Sequence, residues 1–233
     1  MKTIGLIGGM SYSSTIIYYE QLNKLSNEHF GDLTTPKILL SSVNFSIIEH
    51  LQHDGDWNQL GHMLNNEAKA LEQAGAEVLA LCTNTMHKVS DEMLENISIP
   101  FVHIAESTAK HITNDGFKKP ALLATKFTME EEFYVSRLSE YGLSTVIPIE
   151  KSREILHSVI YDELCFIVIT NSSRNKFVDI ALEVQNNGAD SVILGCTEVG
   201  MLLNRENVSL PVYDTVQVHC KDIFNSILAS LPY

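Results

Sequence analysis

Short apolar runs rich in Ile, Val and Leu alternate along this 233-residue chain with longer segments whose apolar residues recur at helical spacing. A short continuous apolar run marks a buried strand, and a period near 3.6 marks a helix. The runs predict strands at 3–9, 37–43, 77–82, 101–104, 121–125, 144–147, 191–195 and 212–213. The segments between them predict helices at 13–30, 57–74, 85–94, 106–114, 129–141, 152–164, 173–187 and 215–228. Strands that read as near-continuous hydrophobic stretches, each followed by a helix, are the pattern of βαβ units on parallel sheets, so the expected class is α/β. Gly75 and Gly188 stand where two of the helices should end in a left-handed cap.

In open parallel sheets, ligand groups gather where strands end and the following helices begin. The chain repeats itself at two such places. Ala74-Gly75-Ala76-Glu77-Val78-Leu79-Ala80-Leu81-Cys82-Thr83 matches Asn187-Gly188-Ala189-Asp190-Ser191-Val192-Ile193-Leu194-Gly195-Cys196-Thr197 with one inserted residue, 114 positions apart from Cys to Cys. Each copy runs from a helix end through a Gly cap, an acidic residue and a hydrophobic strand to Cys-Thr. A weaker echo pairs the strand ending in Gly8-Gly9 with the strand ending in Ala124-Thr125. Two α/β domains of similar plan are expected, one over 1–115 plus 209–233 and the other over 116–208, with their Cys-Thr corners facing a shared cleft.

Two thiols on opposite sides of a ligand suit the inversion of a stereocentre, which needs a proton removed from one face of a carbon and returned to the other. A thiol of ordinary pKa about 8.5 is lowered when it lies at a helix N-terminus. Both Cys82 and Cys196 precede expected helices. Backbone N–H groups there, with Thr83, Asn84, Thr85 and Thr197, would hold a carboxylate. Most unpaired thiols are simply small buried hydrophobes, and Cys165 and Cys220 are read that way.

Charge and composition narrow the classes. With 16 Lys and Arg against 29 Asp and Glu the formal net charge is −13, the wrong sign for gripping a phosphate backbone, so no nucleic-acid partner is expected. No run approaches the roughly 18 apolar residues of a membrane span, the opening apolar run is too short for a signal segment, and a cytoplasmic location is expected. Four cysteines without close spacing suggest reduced thiols, and the nine scattered histidines, among them His50, His53, His103 and His111, form no zinc pattern. The Gly5 to Gly9 segment reads G-x-x-G-G and lacks the dinucleotide fingerprint; its glycines are read as allowing close approach of a ligand. His87, on the expected helix after Cys82, is read first as a structural histidine, with an influence on the Cys82 thiol as the alternative.

Leu81-Cys82-Thr83-Asn84-Thr85-Met86-His87-Lys88, Leu194-Gly195-Cys196-Thr197-Glu198 and Ile4-Gly5-Leu6-Ile7-Gly8-Gly9-Met10-Ser11 together resemble the aspartate/glutamate racemase family, nearest its aspartate and broad-specificity branch. The resemblance runs over nearly the whole chain. It implies two pseudo-symmetric α/β domains, a substrate cleft between them, a homodimer, an amino-acid substrate, and catalysis without pyridoxal phosphate or metal. By position it implies Cys82 and Cys196 as the catalytic pair. It places Met10, Ser11, Thr83, Asn84, Thr85, Thr125, Thr197 and Glu198 around the substrate. Glu198 stands where the glutamate branch has His. Aspartate racemases hold the distal carboxylate with an Arg after the second strand and a Lys beyond a Tyr resembling Tyr161. Here Asn44-Phe45-Ser46-Ile47 and Tyr161-Asp162-Glu163-Leu164-Cys165 supply no basic residue; Lys126 and Arg174 are candidate replacements, with a surface role as the commoner reading of each. Two other readings stay open from the residues alone: a decarboxylase or cis-trans isomerase of small dicarboxylic acids, and a non-catalytic thiol-bearing binding protein.

Overall fold

A computed structural model describes residues 1–228. The described chain divides into two compact units, Met1–His103 with 219–228, and Ile104–Val218. The sequence pattern put these breaks at 115/116 and 208/209.

In the first unit the order is β1 (Ile4–Gly8), α1 (Tyr12–Phe30), β2 (Ile38–Ser42), α2 (Phe45–Asp54), α3 (Trp57–Gln73), β3 (Val78–Leu81), α4 (Ser90–Met93) and β4 (Phe101–Val102). The strands form one parallel sheet in the order β2-β1-β3-β4, with Ile7 opposite Leu81. Every residue of β1 and β3 is buried, as expected of inner strands covered on both faces. Leu60, Leu64, Ala68 and Leu71 of α3 pack with Ile7, Leu79 and Leu81 in the core. Helix α2 is absent from the sequence reading because its apolar face is slight. Only Ile48 and Gln52 are buried, and the helix is marked mainly by its Asn44 cap and by Gly55 in the left-handed region.

The second unit follows with α5 (Ile104–Asn114), β5 (Pro120–Leu123), α6 (Lys126–Glu130), α7 (Glu132–Glu140), α8 (Glu150–Asp162), α9 (Asn171–Asn186), β6 (Ser191–Leu194), β7 (Val212–Asp214) and the start of α10 (Thr215–Leu228). Its sheet is parallel in the order β5-β6-β7. The expected strand at 144–147 is reduced to a single bridge between Ala121 and Val146, although Val146 N–H donates to Pro120 O and Leu122 N–H donates to Val146 O. The expected helix over 129–141 is broken at Glu131, whose extended backbone starts α7, because an acidic run suits a helix N-terminus better than its interior. Gly75 and Gly188 do end α3 and α9, with φ of 94° and 91°.

Candidate active site

The corner in the first unit is built where β1 and β3 run out side by side. After β1, the side chain of Ser11 caps α1, accepting from the Ser14 N–H at 3.2 Å. A hydroxyl in that place satisfies one of the donors a helix start leaves unpaired. Thr15 Oγ1 accepts the Gly9 N–H at 2.8 Å and donates to the Ser11 carbonyl at 3.0 Å. A Cβ on Gly8 would stand 2.6 Å from Thr15 Oγ1, and one on Gly9, at φ 90°, 2.4 Å from the Val43 carbonyl. These glycines admit the chain's own hydroxyl and backbone. After β3, the Cys82 N–H donates to Ile7 O at 2.8 Å, and Ser14 Oγ donates to the Cys82 carbonyl at 2.8 Å. Met10, Ser11, Cys82, Thr83, Asn84 and Thr85 are therefore gathered at one strand-end cluster, all buried.

The second unit repeats the arrangement at the ends of β5 and β6. Thr125 caps α6, accepting from the Thr128 N–H at 3.4 Å. The Gly195 N–H donates to Leu123 O at 2.8 Å, and a Cβ on Gly195 would press on Leu122 and Ala124 at 2.7 and 2.9 Å. Cys196 Sγ–H donates to Glu198 Oε2 at 3.0 Å, and the Thr197 hydroxyl donates to the same oxygen. Cys196, Thr197 and Glu198 thus meet, with Glu198 itself buried, and Thr125 follows the end of the neighbouring strand β5.

Neither thiol is acidified in the way its place before a helix suggested. Burial alone pushes Cys82 far up, and burial followed by the Glu198 carboxylate pushes Cys196 well above the usual thiol range. No long helix starts at either corner to oppose that burial. Cys82 leads into the 3-10 turn Thr85–Val89 and Cys196 into the 3-10 turn Val199–Met201, too short to present a useful dipole. Both thiols rest protonated.

Cys165, set aside by the sequence reading, stands close enough to the second corner to matter. Its thiol is pushed up to about 12 by burial and by the Glu198 carboxylate, and it in turn raises Cys196. A half-buried cysteine in a short turn carries no periodic signal by which the sequence could have flagged it. Arg174 directs Nη1 to Leu202 O at 2.8 Å and Nη2 to Met201 O at 3.4 Å, tying down the segment that follows Cys196. Lys126 Nζ lies 3.9 Å from Glu154 Oε1. Both candidate carboxylate holders thus have protein partners. Among the described residues no group of three His, Cys, Asp or Glu is arranged to hold a metal ion.

The fold and the two corners define an α/β protein of duplicated plan with one thiol at an equivalent inner-strand end of each unit. Residues 7–223 match the family model described as Asp/Glu/Hydantoin racemase, and the chain belongs to that family. The broad-specificity amino-acid racemase RacX of Bacillus subtilis is 23% identical over 238 residues, covering 97% of this chain and 98% of that one. Among solved structures, an Asp/Glu racemase candidate from Yersinia pestis superposes with a TM-score of 0.91 at 41% identity over 98% of this chain and 100% of that one. An aspartate racemase homologue from Pyrococcus horikoshii gives 0.84 at 35% identity over 99% and 100%. The decarboxylase, cis-trans isomerase and binding-protein readings find no support in these relatives.

Proposed function

We propose that the protein is an amino-acid racemase working without pyridoxal phosphate or metal, in which Cys82 and Cys196 exchange protons with opposite faces of the substrate Cα. The observation that carries this reading is the duplicated corner. Each unit ends an inner strand in Cys-Thr beside a neighbouring strand that ends in a hydroxyl helix cap, Ser11 in one and Thr125 in the other. Met10, Ser11, Thr83, Asn84, Thr85, Thr125 and Thr197 are the groups proposed to hold the α-carboxylate and ammonium. Glu198 takes a more specific part than general substrate binding. Its carboxylate receives the Cys196 proton, leaving a thiolate that lifts the Cα proton on one side while the Cys82 thiol delivers its own on the other. After one inversion Cys82 is the thiolate and Cys196 the thiol, and the opposite enantiomer restores the first state.

The substrate range extends beyond aspartate to amino acids with uncharged side chains, because Arg174 is tied to the Leu202 and Met201 carbonyls and no basic residue stands at 44–47 or 161–165. A turnover panel checks this; use of aspartate with homoserine, methionine and alanine all ignored by a wide margin would sink it. A cytoplasmic location is part of the proposal, supported by four free cysteines of the kind a reducing compartment maintains. No helix among the described residues is long and apolar enough to cross a membrane. A homodimer is also part of it, supported by the exposed stripe of Tyr12, Ile16 and Tyr19 along α1. Light scattering on the purified protein tests the dimer.

The decisive test is exchange in deuterated buffer. Cys82→Ser and Cys196→Ser should each abolish racemisation, while slow Cα exchange persists with one enantiomer in the first variant and with the other in the second. Near-normal racemisation by either variant would end the two-thiol reading. Cys220→Ser should invert substrate as the parent protein does.

A further inference from the structure

The first unit buries three imidazoles in one pocket behind the Cys82 corner. His87 belongs to the turn Thr85–Val89, His103 follows β4, and His219 lies in α10. The ring of His87 is centred 4.6 Å from that of His103, 6.0 Å from that of His219 and 5.5 Å from Phe101. All three histidines are buried.

Hydrogen bonds fix the tautomers. His219 Nε2 is 2.8 Å from the Val102 carbonyl, and His219 Nδ1 is 2.7 Å from the Tyr18 hydroxyl. A carbonyl can only accept, so the proton is on Nε2 and bare Nδ1 accepts from Tyr18. His87 Nδ1 lies 2.8 Å from the Thr83 carbonyl. By the same reasoning that nitrogen carries its proton and donates it there. Burial first, then the neighbouring His103 and His219, hold His87 well below the usual imidazole range, so the ring is neutral under working conditions.

We propose that His87 is a positioning residue for the Cys82 thiol, acting through its Nδ1–H bond to the Thr83 carbonyl. The inference rests on the two-thiol reading above. Successive backbone groups leaving β3 are each tied to a different partner: the Cys82 N–H to Ile7, the Cys82 carbonyl to Ser14 and the Thr83 carbonyl to His87. A cysteine has a single carbon between backbone and sulfur and only staggered positions for it, so a fixed backbone fixes the aim of the thiol. The imidazole four residues on anchors the Thr83 carbonyl at the start of the short turn that follows. The packed rings of His103 and Phe101 keep His87 from turning away. Loss of aim by about 1 Å costs on the order of a hundredfold in such a step.

The test uses the single-thiol variants, because a device that serves one thiol should be felt on one face of the substrate alone. In a Cys196→Ser background, where Cys82 does the exchange, adding His87→Ala should slow deuterium incorporation by about tenfold or more. In a Cys82→Ser background, where Cys196 does the exchange, adding His87→Ala should leave incorporation within about twofold. His87→Asn, whose amide keeps a donor near the same point, should restore most of the loss. His87→Leu, which fills the pocket without a donor, should not, and this pair replaces His87→Ala if the smaller side chain prevents folding. Equal slowing in both backgrounds, or full exchange with His87→Leu, would overturn the proposal while leaving the two-thiol reading intact. Absence of exchange from both single-thiol parents would overturn both together.

Discussion

Cys196 and Glu198 are the residues at which the geometry says most about chemistry. A carboxylate 3.0 Å from a buried thiol makes the thiol harder to ionise into solvent, yet it offers the proton a nearby place to go. Glu198→Gln keeps an oxygen that can accept the Cys196 hydrogen bond but cannot take the proton. We expect it to fold like the parent and to lose about a hundredfold or more in Cα exchange on the face served by Cys196, the usual size of a lost acid–base partner. Deuterium incorporation in a Cys82→Ser background measures it, and exchange within a few-fold of that background would show that the proton goes elsewhere. The residue types at both corners were legible in the sequence because Cys-Thr recurs in a repeated setting. The Glu198 bond was not, since nothing in Cys-Thr-Glu says whether the carboxylate turns towards its own thiol or towards a ligand.

At the scale of elements, the strands and the long helices were readable because burial on both faces and strong amphipathicity leave periodic marks. The weakly marked pieces were missed. Helix α2 buries two side chains, and the corner turns are 3-10 segments whose side chains are buried for reasons of tertiary packing. Burial raises both thiols, joined at Cys196 by the Glu198 carboxylate, and neither turn is long enough to oppose it. The packing around the strand-end glycines carries no mark in the sequence. Gly195→Ala would drive a Cβ against Leu122 and Ala124. Overpacking of this kind costs about 1–3 kcal/mol. The expected result is a lower denaturation midpoint with unchanged slope, together with reduced turnover because the strand end carrying Cys196 has to shift. An alanine variant as stable as the parent would show that β5 and β6 yield more easily than their packing implies.

For the whole molecule, the buried imidazoles set an acid limit. Burial holds His219 at about 4 against an ordinary 6.5, and His87 is depressed in the same direction. A histidine depressed in the folded state takes up protons more readily when unfolded. Its contribution to stability is therefore complete above pH 6.5 and drains away as pH falls towards 4. For His219 alone that amounts to about 3 kcal/mol. Denaturant melts at pH 7, 6, 5 and 4 should show the loss, and His219→Gln should flatten it; a parent equally stable at pH 4 and 7 would contradict the buried neutral assignment.

The duplication also falls short of chemical symmetry, because the raised Cys196 thiol faces a carboxylate within its own unit while burial alone raises Cys82. On the two-thiol reading proposed above, two mirror-image substrates therefore meet two unlike proton stations. Enantiomers have equal free energy in free solution, so the equilibrium constant of the reaction is unity and kcat/KM must be the same in both directions whatever the protein does. The inequality of the stations can surface only where that constraint is silent: one enantiomer should saturate at a lower concentration and turn over more slowly by the same factor. A racemase built on unlike halves is thus even-handed at low substrate and partial at high, and the concentration of amino acid around it decides which character it displays.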